Sequence, residues 1–262
     1  MEERGESLNS PLIPYPGKQL LPGSREHFFT LKPGVKSRYI YDFGLSTGQM
    51  LYQSAGGIGF SKEKHILGLH DLMRMPYAEE LIKEEFETNF KSKWGPAKFF
   101  RLRRDVNQEL KDPSRRTIAK LYCLLACCGF RHKFDKHGNF KGEYFPHSLD
   151  TSQIKINNEK LLNSDFVIMK GGISTFEENL FTKKSLIYLN IPFPSAEKAK
   201  NKIFKFFRYV DSLGYDFLIT SRLMNRGRID ETLLQWSGRY SSIIIPQSKE
   251  KFTSSDIFIT NF

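Results

Sequence analysis

Short apolar runs alternate with helix-type patterns through the last third of the chain, and this alternation restricts the fold more than any other feature. Strand-type runs of β-branched and aromatic residues lie at 165–169, 186–189, 217–220, 243–245 and 256–259. Amphipathic helices are predicted between some of these runs, at 196–213 and 231–240. Strands that alternate with helices favour a mostly parallel sheet covered by helices on both faces. The predicted fold class is therefore α/β, with a doubly wound sheet.

The first third of the chain carries weaker signals. Residues 1–36 are rich in Pro and Gly, which predicts irregular structure. A short strand is predicted at 38–41, and a helix is predicted to begin at Gln49. The run 65–69 is interpreted as the second strand, and the glycines at 56–57 are interpreted as a turn.

Positive charge is concentrated in one central stretch. The chain has 40 Lys and Arg against 29 Asp and Glu, a net charge of +11, and residues 91–141 alone have 14 basic and 4 acidic side chains. Helices are predicted within this stretch at 97–110 and 115–128, with Asp112 or Ser114 as the cap of the second. Aromatic residues are interleaved with the cations, at Trp94, Phe99, Phe100, Tyr122, Phe130, Phe134 and Phe140. This pattern is typical of a surface that binds a polyanion, most simply nucleic acid, and the alternative is a charged face that only confers solubility.

Composition disfavours several classes of protein. No apolar run approaches the ~20 residues that span a bilayer, so no membrane segment is predicted. No secretory signal is expected from the first residues. Cys123, Cys127 and Cys128 lie in one apolar run, which favours buried free thiols in a reducing compartment. The His and Cys residues show no metal-ligand spacing. A cytoplasmic location is expected.

One short motif indicates chemistry, because the predicted strand 186–189 runs directly into Asn190, Ile191, Pro192 and Phe193. Ligands bind at the carboxyl ends of strands in α/β sheets. At that position the Asn190 carbonyl would accept from an exocyclic amine, Pro192 would stiffen the turn, and Phe193 would stack on a flipped base. The alternative interpretation is a strand that ends in a proline turn beside a buried phenylalanine.

The order of these pieces resembles the Dam-type DNA N6-adenine methyltransferases, and especially their shorter, phage-encoded members. The similarity extends over almost the whole chain at low identity. It is carried by the segments 15–22, 66–71, 99–140, 190–193, 234–240 and 248–251. The resemblance implies a Rossmann-like methyltransferase sheet with an inserted, mostly helical target-recognition subdomain. The α/β domain would comprise 1–75 and 150–262, and the basic insert with its β-hairpin would comprise 76–149.

The resemblance also implies roles for individual residues. S-adenosylmethionine would be held by Tyr15, Gly17, Lys18, Phe43 and Asp71, with Asp71 on the ribose hydroxyls. The catalytic motif, in the position of the family's D-P-P-Y, would be Asn190, Pro192 and Phe193. Basic side chains that would contact double-stranded DNA are Lys98, Arg101, Arg103, Arg104, Arg115, Arg116, Arg131 and Lys133.

Four features depart from the family pattern. In the glycine-rich F-x-G-x-G motif, aligned on Phe43, Leu45 and Thr47 stand where glycines let the backbone approach the cofactor. Asn190 replaces an acid. The loop that closes over the site is short, since helix 196–213 follows almost at once. The recognition hairpin is about two residues short where the family supplies a base-reading Arg.

These departures favour a Dam-like protein that is impaired or inactive in catalysis and that binds double-stranded DNA or a host protein. The main alternative is an active S-adenosylmethionine-dependent DNA N6-adenine methyltransferase. A further alternative is a non-enzymatic, virus-encoded interaction factor. The last is a ribosomal RNA adenine methyltransferase, because residues 190–193 resemble the motif of those enzymes. Neither a metal nor a membrane partner is expected, and the sequence does not fix the oligomeric state.

Overall fold

The computed structural model describes residues 24–45, 48, 50–91, 94–128, 134–135, 137–144, 165–177, 182, 184–191, 196–246 and 254–262. Its α-helices in these ranges are α1 (Ser24–Leu31), α2 (Lys64–Met73), α3 (Ala78–Asn89), α4 (Pro96–Glu109), α5 (Arg115–Cys127), α6 (Glu197–Ser212) and α7 (Glu231–Ser237). Its strands are β1 (Tyr39–Asp42), β2 (Gly56–Ser61), β3 (Phe166–Lys170), β4 (Leu186–Ile191), β5 (Asp216–Asn225), β6 (Arg228–Ile229), β7 (Ser241–Pro246) and β8 (Ser254–Thr260). None of these helices is long and apolar enough to cross a membrane.

The strands form one sheet in the order β3-β2-β1-β4-β5-β8-β7, with β6 as a short partner of β5. Strands β3, β2, β1, β4 and β5 are parallel, and β8 is antiparallel to both β5 and β7. The order reverses between β1 and β4, where Ile40 is in register with Leu186. A parallel sheet whose strand order reverses at its centre is the arrangement of doubly wound, Rossmann-like sheets. The predicted α/β fold class is confirmed.

Two apolar cores lie on the two faces of the sheet. On one face α6 and α7 pack against β4 and β5, and Phe204 stacks on Trp236 with ring centroids 4.5 Å apart. On the other face α1 to α5 share a larger core with the sheet, and Phe28 stacks on Phe258 at 4.4 Å. The central strands β1, β4 and β5 are therefore covered on both faces, as a parallel sheet requires, whereas the edge strand β3 exposes Val167 and Met169.

The helices between α2 and β3 follow the predicted pattern closely. Helix α4 buries Phe99, Leu102 and Val106, which are spaced three and four residues apart on one face. Helix α5 begins at the Ser114 cap, whose hydroxyl accepts a hydrogen bond from the Thr117 amide at 3.1 Å. The hairpin is reduced to one antiparallel bridge between Phe134 and Phe140 in the described residues.

The predicted second strand at 65–69 is wrong, because these residues belong to α2. Their buried positions, at Ile66, Leu69 and Met73, recur every three to four residues, which is the period of a helix. The second strand is instead β2, which begins with two glycines. A Cβ on Gly57 would lie 2.0 Å from the backbone oxygen of Ile40, so the glycine is required for close strand pairing.

Two other local predictions differ from the structure. Between β1 and β2 the described residues contain only a short 3₁₀ helix, Leu51–Gln53, where a helix was predicted from Gln49. The segment 1–36, predicted to be irregular, contains α1. The predicted strand at 38–41 is confirmed as β1, one residue later. A helix predicted at 177–181 lies mostly outside the described residues.

Candidate functional site

Three parallel strands end together at one edge of the sheet, called here the carboxyl edge and defined by Asp42 of β1, Ser61 of β2 and Ile191 of β4. In open α/β sheets, ligands bind outside the carboxyl ends of the strands where the strand order reverses. In this sheet that point lies between β1 and β4. The carboxyl edge is therefore the candidate site.

Asp42 fixes the chain as it leaves β1. Its Oδ1 accepts a hydrogen bond from the Gly44 amide at 3.0 Å, and the Phe43 amide donates to the Tyr188 carbonyl at 3.0 Å. The carboxyl group is buried, and this burial raises its pKa to about 7, although the bond from Gly44 opposes the shift. The loop after β1 is thus tied to β4 by backbone and side-chain bonds.

Asn190 already has a partner within the protein. The hydroxyl of Thr220 donates to Asn190 Oδ1 at 3.1 Å, and Tyr188 Oη lies 2.9 Å from the same hydroxyl. These contacts form a short chain from Tyr188 through Thr220 to Asn190 across β4 and β5. The other predicted catalytic residues, Pro192 and Phe193, lie outside the described residues.

Aromatic rings fill the carboxyl edge beside Asp42. Phe43 stacks on Phe60 with ring centroids 4.8 Å apart and planes inclined by 8°. Phe176 and Phe206 meet the ring of Phe43 edge-on, at 6.0 Å and 5.7 Å. Phe43 and Phe60 are buried, at 4% and 6% exposure. The ends of β1 and β2 are therefore joined by a packed aromatic cluster on the α6 face of the sheet.

The side chain of Leu45 occupies the opposite face of the same loop. The Leu45 amide donates to the Phe60 carbonyl at 3.1 Å, and the Leu45 side chain is buried against Gly59 and Leu51. A Cβ built on Gly44 would lie 2.6 Å from Cδ1 of Leu189. A methyltransferase cofactor needs open space beside this backbone, and here the buried side chain of Leu45 stands where the family's motif has a glycine. The residues present do not fit S-adenosylmethionine in this arrangement.

The structure separates the residues predicted to hold the cofactor. Phe43 lies at the carboxyl edge, whereas Asp71 lies on the last turns of α2, beside Arg74. Tyr15, Gly17 and Lys18 lie outside the described residues. The role of Asp71 followed from a strand that does not exist, so its predicted position at a strand end is wrong.

Glu63 is the acidic residue that the sequence prediction missed. It follows β2 by two residues, and its carboxylate lies 3.8 Å from Nδ1 of His65. A ribose-binding acid in dinucleotide folds stands roughly 20 residues after the first glycine turn, at the end of the second strand. Glu63 matches that spacing from Gly44. The spacing from β1 was the signal available in the sequence.

The hairpin packs near Glu63, at the start of α2. His65 stacks on Phe134 with ring centroids 3.8 Å apart. Burial lowers the pKa of His65 to about 4, so the ring is neutral at neutral pH. Asn107 of α4 anchors Phe140 on the other side of the hairpin, because its side chain donates to the Phe140 carbonyl at 3.1 Å and accepts from the Phe140 amide at 2.7 Å. The hairpin is therefore fixed between α2 and α4.

The predicted DNA-contacting residues divide into two groups, and the first is engaged within the protein. Arg103 donates to the Gly142 carbonyl at 2.7 Å and lies over the Phe100 ring. Arg116 bridges α5 to α3 through Glu84 at 2.8 Å and Glu85 at 2.9 Å. These two side chains have structural partners that must be released before they bind DNA.

The second group lies on the outward face of the insert. Arg101 is exposed, and Arg104, at 69% side-chain exposure, has only the neighbouring Asp105 at 3.5 Å. Lys98 is half-buried on the same helix, and Arg115 donates to Tyr77 Oη at 2.6 Å. Arg131 and Lys133 lie outside the described residues.

Thiol and metal chemistry find little support in the described part of the chain. Cys123, Cys127 and Cys128 are free and buried. Burial raises the pKa of Cys128 to about 12, which keeps this thiol protonated and unreactive. No cluster of three or more His, Cys, Asp or Glu side chains with metal-binding geometry is found among the described residues.

Two of the solved structures similar to this chain are methyltransferases. One is described as a small RNA methyltransferase HEN1, with 13% identity over 91% of this chain and a TM-score of 0.43. This chain spans only 25% of that one. The other is the methyltransferase domain of bacterial CtHen1-CN, with 6% identity, 90% of this chain and 96% of that chain covered, and a TM-score of 0.42. No protein-family model and no curated protein matches the sequence.

Similarities as distant as these assign no role to any residue of this chain. The fold class is therefore argued from the topology of the sheet. The strand order, which reverses between β1 and β4 and has the antiparallel β8 beside β5, defines a Rossmann-like doubly wound sheet.

Proposed function

We propose that this protein is a Dam-like methyltransferase scaffold that binds double-stranded DNA through its basic insert and does not transfer methyl groups. The observation that carries the proposal is the Phe43–Phe60 stack, which together with Leu45 takes the cofactor's place at the carboxyl edge. The fold is retained while its ligand-binding end is packed like a core. DNA binding is the function that remains available to such a scaffold.

The closed edge is costly to open. Phe43, Phe60 and Leu45 are almost fully buried, and exposing one such side chain costs roughly 1.5–3 kcal/mol. Cofactor binding would have to displace at least one of them before forming any contact. The expected result is that S-adenosylmethionine binds weakly or not at all.

The outward face of α4 has the chemistry of a DNA-binding surface. Phe100 is 46% exposed, with the Arg103 guanidinium 4.8 Å from its ring centroid. Arg101 and Arg104 stand one turn apart on the exposed part of the same helix. Exposed arginines neutralise phosphates and release counterions, which supplies most of the affinity for duplex DNA.

DNA binding is tested by fluorescence anisotropy with a labelled duplex of about 20 base pairs, between about 50 and 200 mM salt. The double variant R101Q/R104Q is expected to bind about 10-fold more weakly and to reduce the salt slope by about two. The matched control is K202Q/K205Q, which removes the same charge from the exposed face of α6. Equal losses in the two variants, or no binding by the wild type at low salt, would contradict the proposal.

The active-enzyme alternative has one observation in its favour. Glu63 stands two residues after β2, in the position of a ribose-binding acid. Transfer of labelled methyl groups from S-adenosylmethionine to adenine-containing DNA distinguishes the two functions. Incorporation that is lost in E63Q would establish the enzyme and overturn the closed-site proposal.

A further inference from the structure

A second concave site lies away from the carboxyl edge. A cavity of about 470 Å³ opens between α2, α5 and the turn that joins α4 to α5. Arg74 of its wall lies 4.6 Å from the ring of Phe166, the first residue of β3. Because β3 is parallel to β2, the cavity lies towards the edge where the strands begin. Its volume falls in the range of small-molecule sites, ~300–1,000 Å³.

Three charged side chains line this cavity. Asp71, Arg74 and Arg115 are all in its wall, and both arginines act electrostatically on the Asp71 carboxyl group, although no ion pair within 4.0 Å joins them among the described residues. Arg115 uses one donor on Tyr77 Oη, at 2.6 Å. Since a guanidinium carries five N–H donors, most of the donors on Arg74 and Arg115 remain for a ligand. The wall has a net charge of +1 and presents one acceptor.

The rest of the wall is apolar. Leu72 and Ile118 are buried, and Met75 is half-buried beside them. Gly68 permits this close packing of α2 on α5, because a Cβ there would lie 2.6 Å from Cδ1 of Ile118. A flat apolar body can lie against these side chains while a charged group reaches the arginines.

We propose that this cavity binds a nucleoside 5′-monophosphate group, with Arg74 and Arg115 on the phosphate, Leu72, Met75 and Ile118 against the base, and Asp71 accepting from a ribose hydroxyl or base amine. Paired guanidinium groups suit phosphate because they donate in a fork that matches its oxygens. The acceptor and the apolar wall select a nucleoside over a bare anion. The group belongs either to a free mononucleotide or to the 5′ end of a polynucleotide. This site is separate from the DNA surface on α4.

Calorimetric titration with adenosine 5′-monophosphate, adenosine and inorganic phosphate tests the proposal. The monophosphate is expected to bind more tightly than either fragment, and R74Q and R115Q are each expected to weaken it about 10-fold. K202Q on the exposed face of α6 is the matched control and is expected to leave this binding unchanged. Because Arg115 is exposed at the start of α5, R115Q tests the site even if R74Q disturbs folding.

The outcomes separate this site from the proposed function. Adenosine or inorganic phosphate binding as tightly as the monophosphate, or wild-type affinity in both arginine variants, would overturn the site. The two sources are separated by comparing an oligonucleotide that has a 5′ phosphate with the same oligonucleotide that has a 5′ hydroxyl. Tighter binding of the phosphorylated one assigns the ligand to a chain end. Equal binding of the two assigns the ligand to free nucleotides. If the wild type fails to bind DNA at low salt but binds the monophosphate, the proposed function is overturned and this site stands.

Discussion

Asp42 places an ionisable group inside the sheet at the end of β1, with a single backbone donor to stabilise its charge. The Gly44 amide offsets only part of the desolvation, so the neutral carboxyl is favoured and the pKa rises to about 7. The residue ties the loop to β1 and makes the stability of the fold depend on pH.

The pH dependence has a definite sign. Between pH about 4 and pH about 7, folded Asp42 holds a proton that the unfolded chain has released, so stability falls as the pH rises through this window. The loss amounts to at most about 4 kcal/mol. D42N keeps an acceptor for Gly44 and is expected to lack this decline. Urea unfolding at about pH 5 and pH 8 measures the difference, and parallel profiles for the wild type and D42N would refute the assignment.

Phe60 is predicted to act as a core residue although it stands where a cofactor site would be. F60A is expected to lower the free energy of unfolding by about 3–5 kcal/mol, since it leaves a cavity beneath Phe43. F100A, at a 46% exposed position, is the control and should change stability by less than about 0.5 kcal/mol. Chemical denaturation of both variants checks this. A loss below about 1 kcal/mol in F60A would show that the edge is not packed.

Among the elements, the helices of the insert were predictable from the sequence and the region between β1 and α2 was not. Helices α4 and α5 carry regular apolar spacing and a Ser114 cap, so local chemistry specifies them. Strand β2 begins with Gly56 and Gly57, whose weak strand propensity is outweighed by close pairing with β1. The apolar run in α2 was too short to distinguish a strand from a helix by period.

The Ser114 cap at the start of α5 tests whether local chemistry specifies this helix. S114A removes the acceptor for the Thr117 amide and is expected to destabilise the protein by about 1 kcal/mol. S114D retains an acceptor and is expected to be close to the wild type. Thermal or urea unfolding of the two variants measures the effect, and equal stability of S114A and S114D would contradict the cap.

At the scale of the whole molecule, the sequence predicts the type of sheet and the position of the basic surface, but not the packing of the carboxyl edge. Alternating apolar runs predicted a doubly wound sheet, and the basic stretch predicted the position of the exposed arginines on α4. The stack of Phe43 on Phe60 joins residues of two strands and depends on the register of β1 and β2. No pattern within either segment reveals this contact, so the packing of the carboxyl edge required the three-dimensional arrangement.

The closed carboxyl edge is the central claim, and isothermal titration of the purified protein with S-adenosylmethionine and S-adenosylhomocysteine tests it most directly. The account predicts no measurable heat and no thermal shift at millimolar ligand, because Phe43, Phe60 and Leu45 occupy the space that the ligand needs. Saturable binding at micromolar concentration, reduced by E63Q, would contradict the account and make the protein a working methyltransferase.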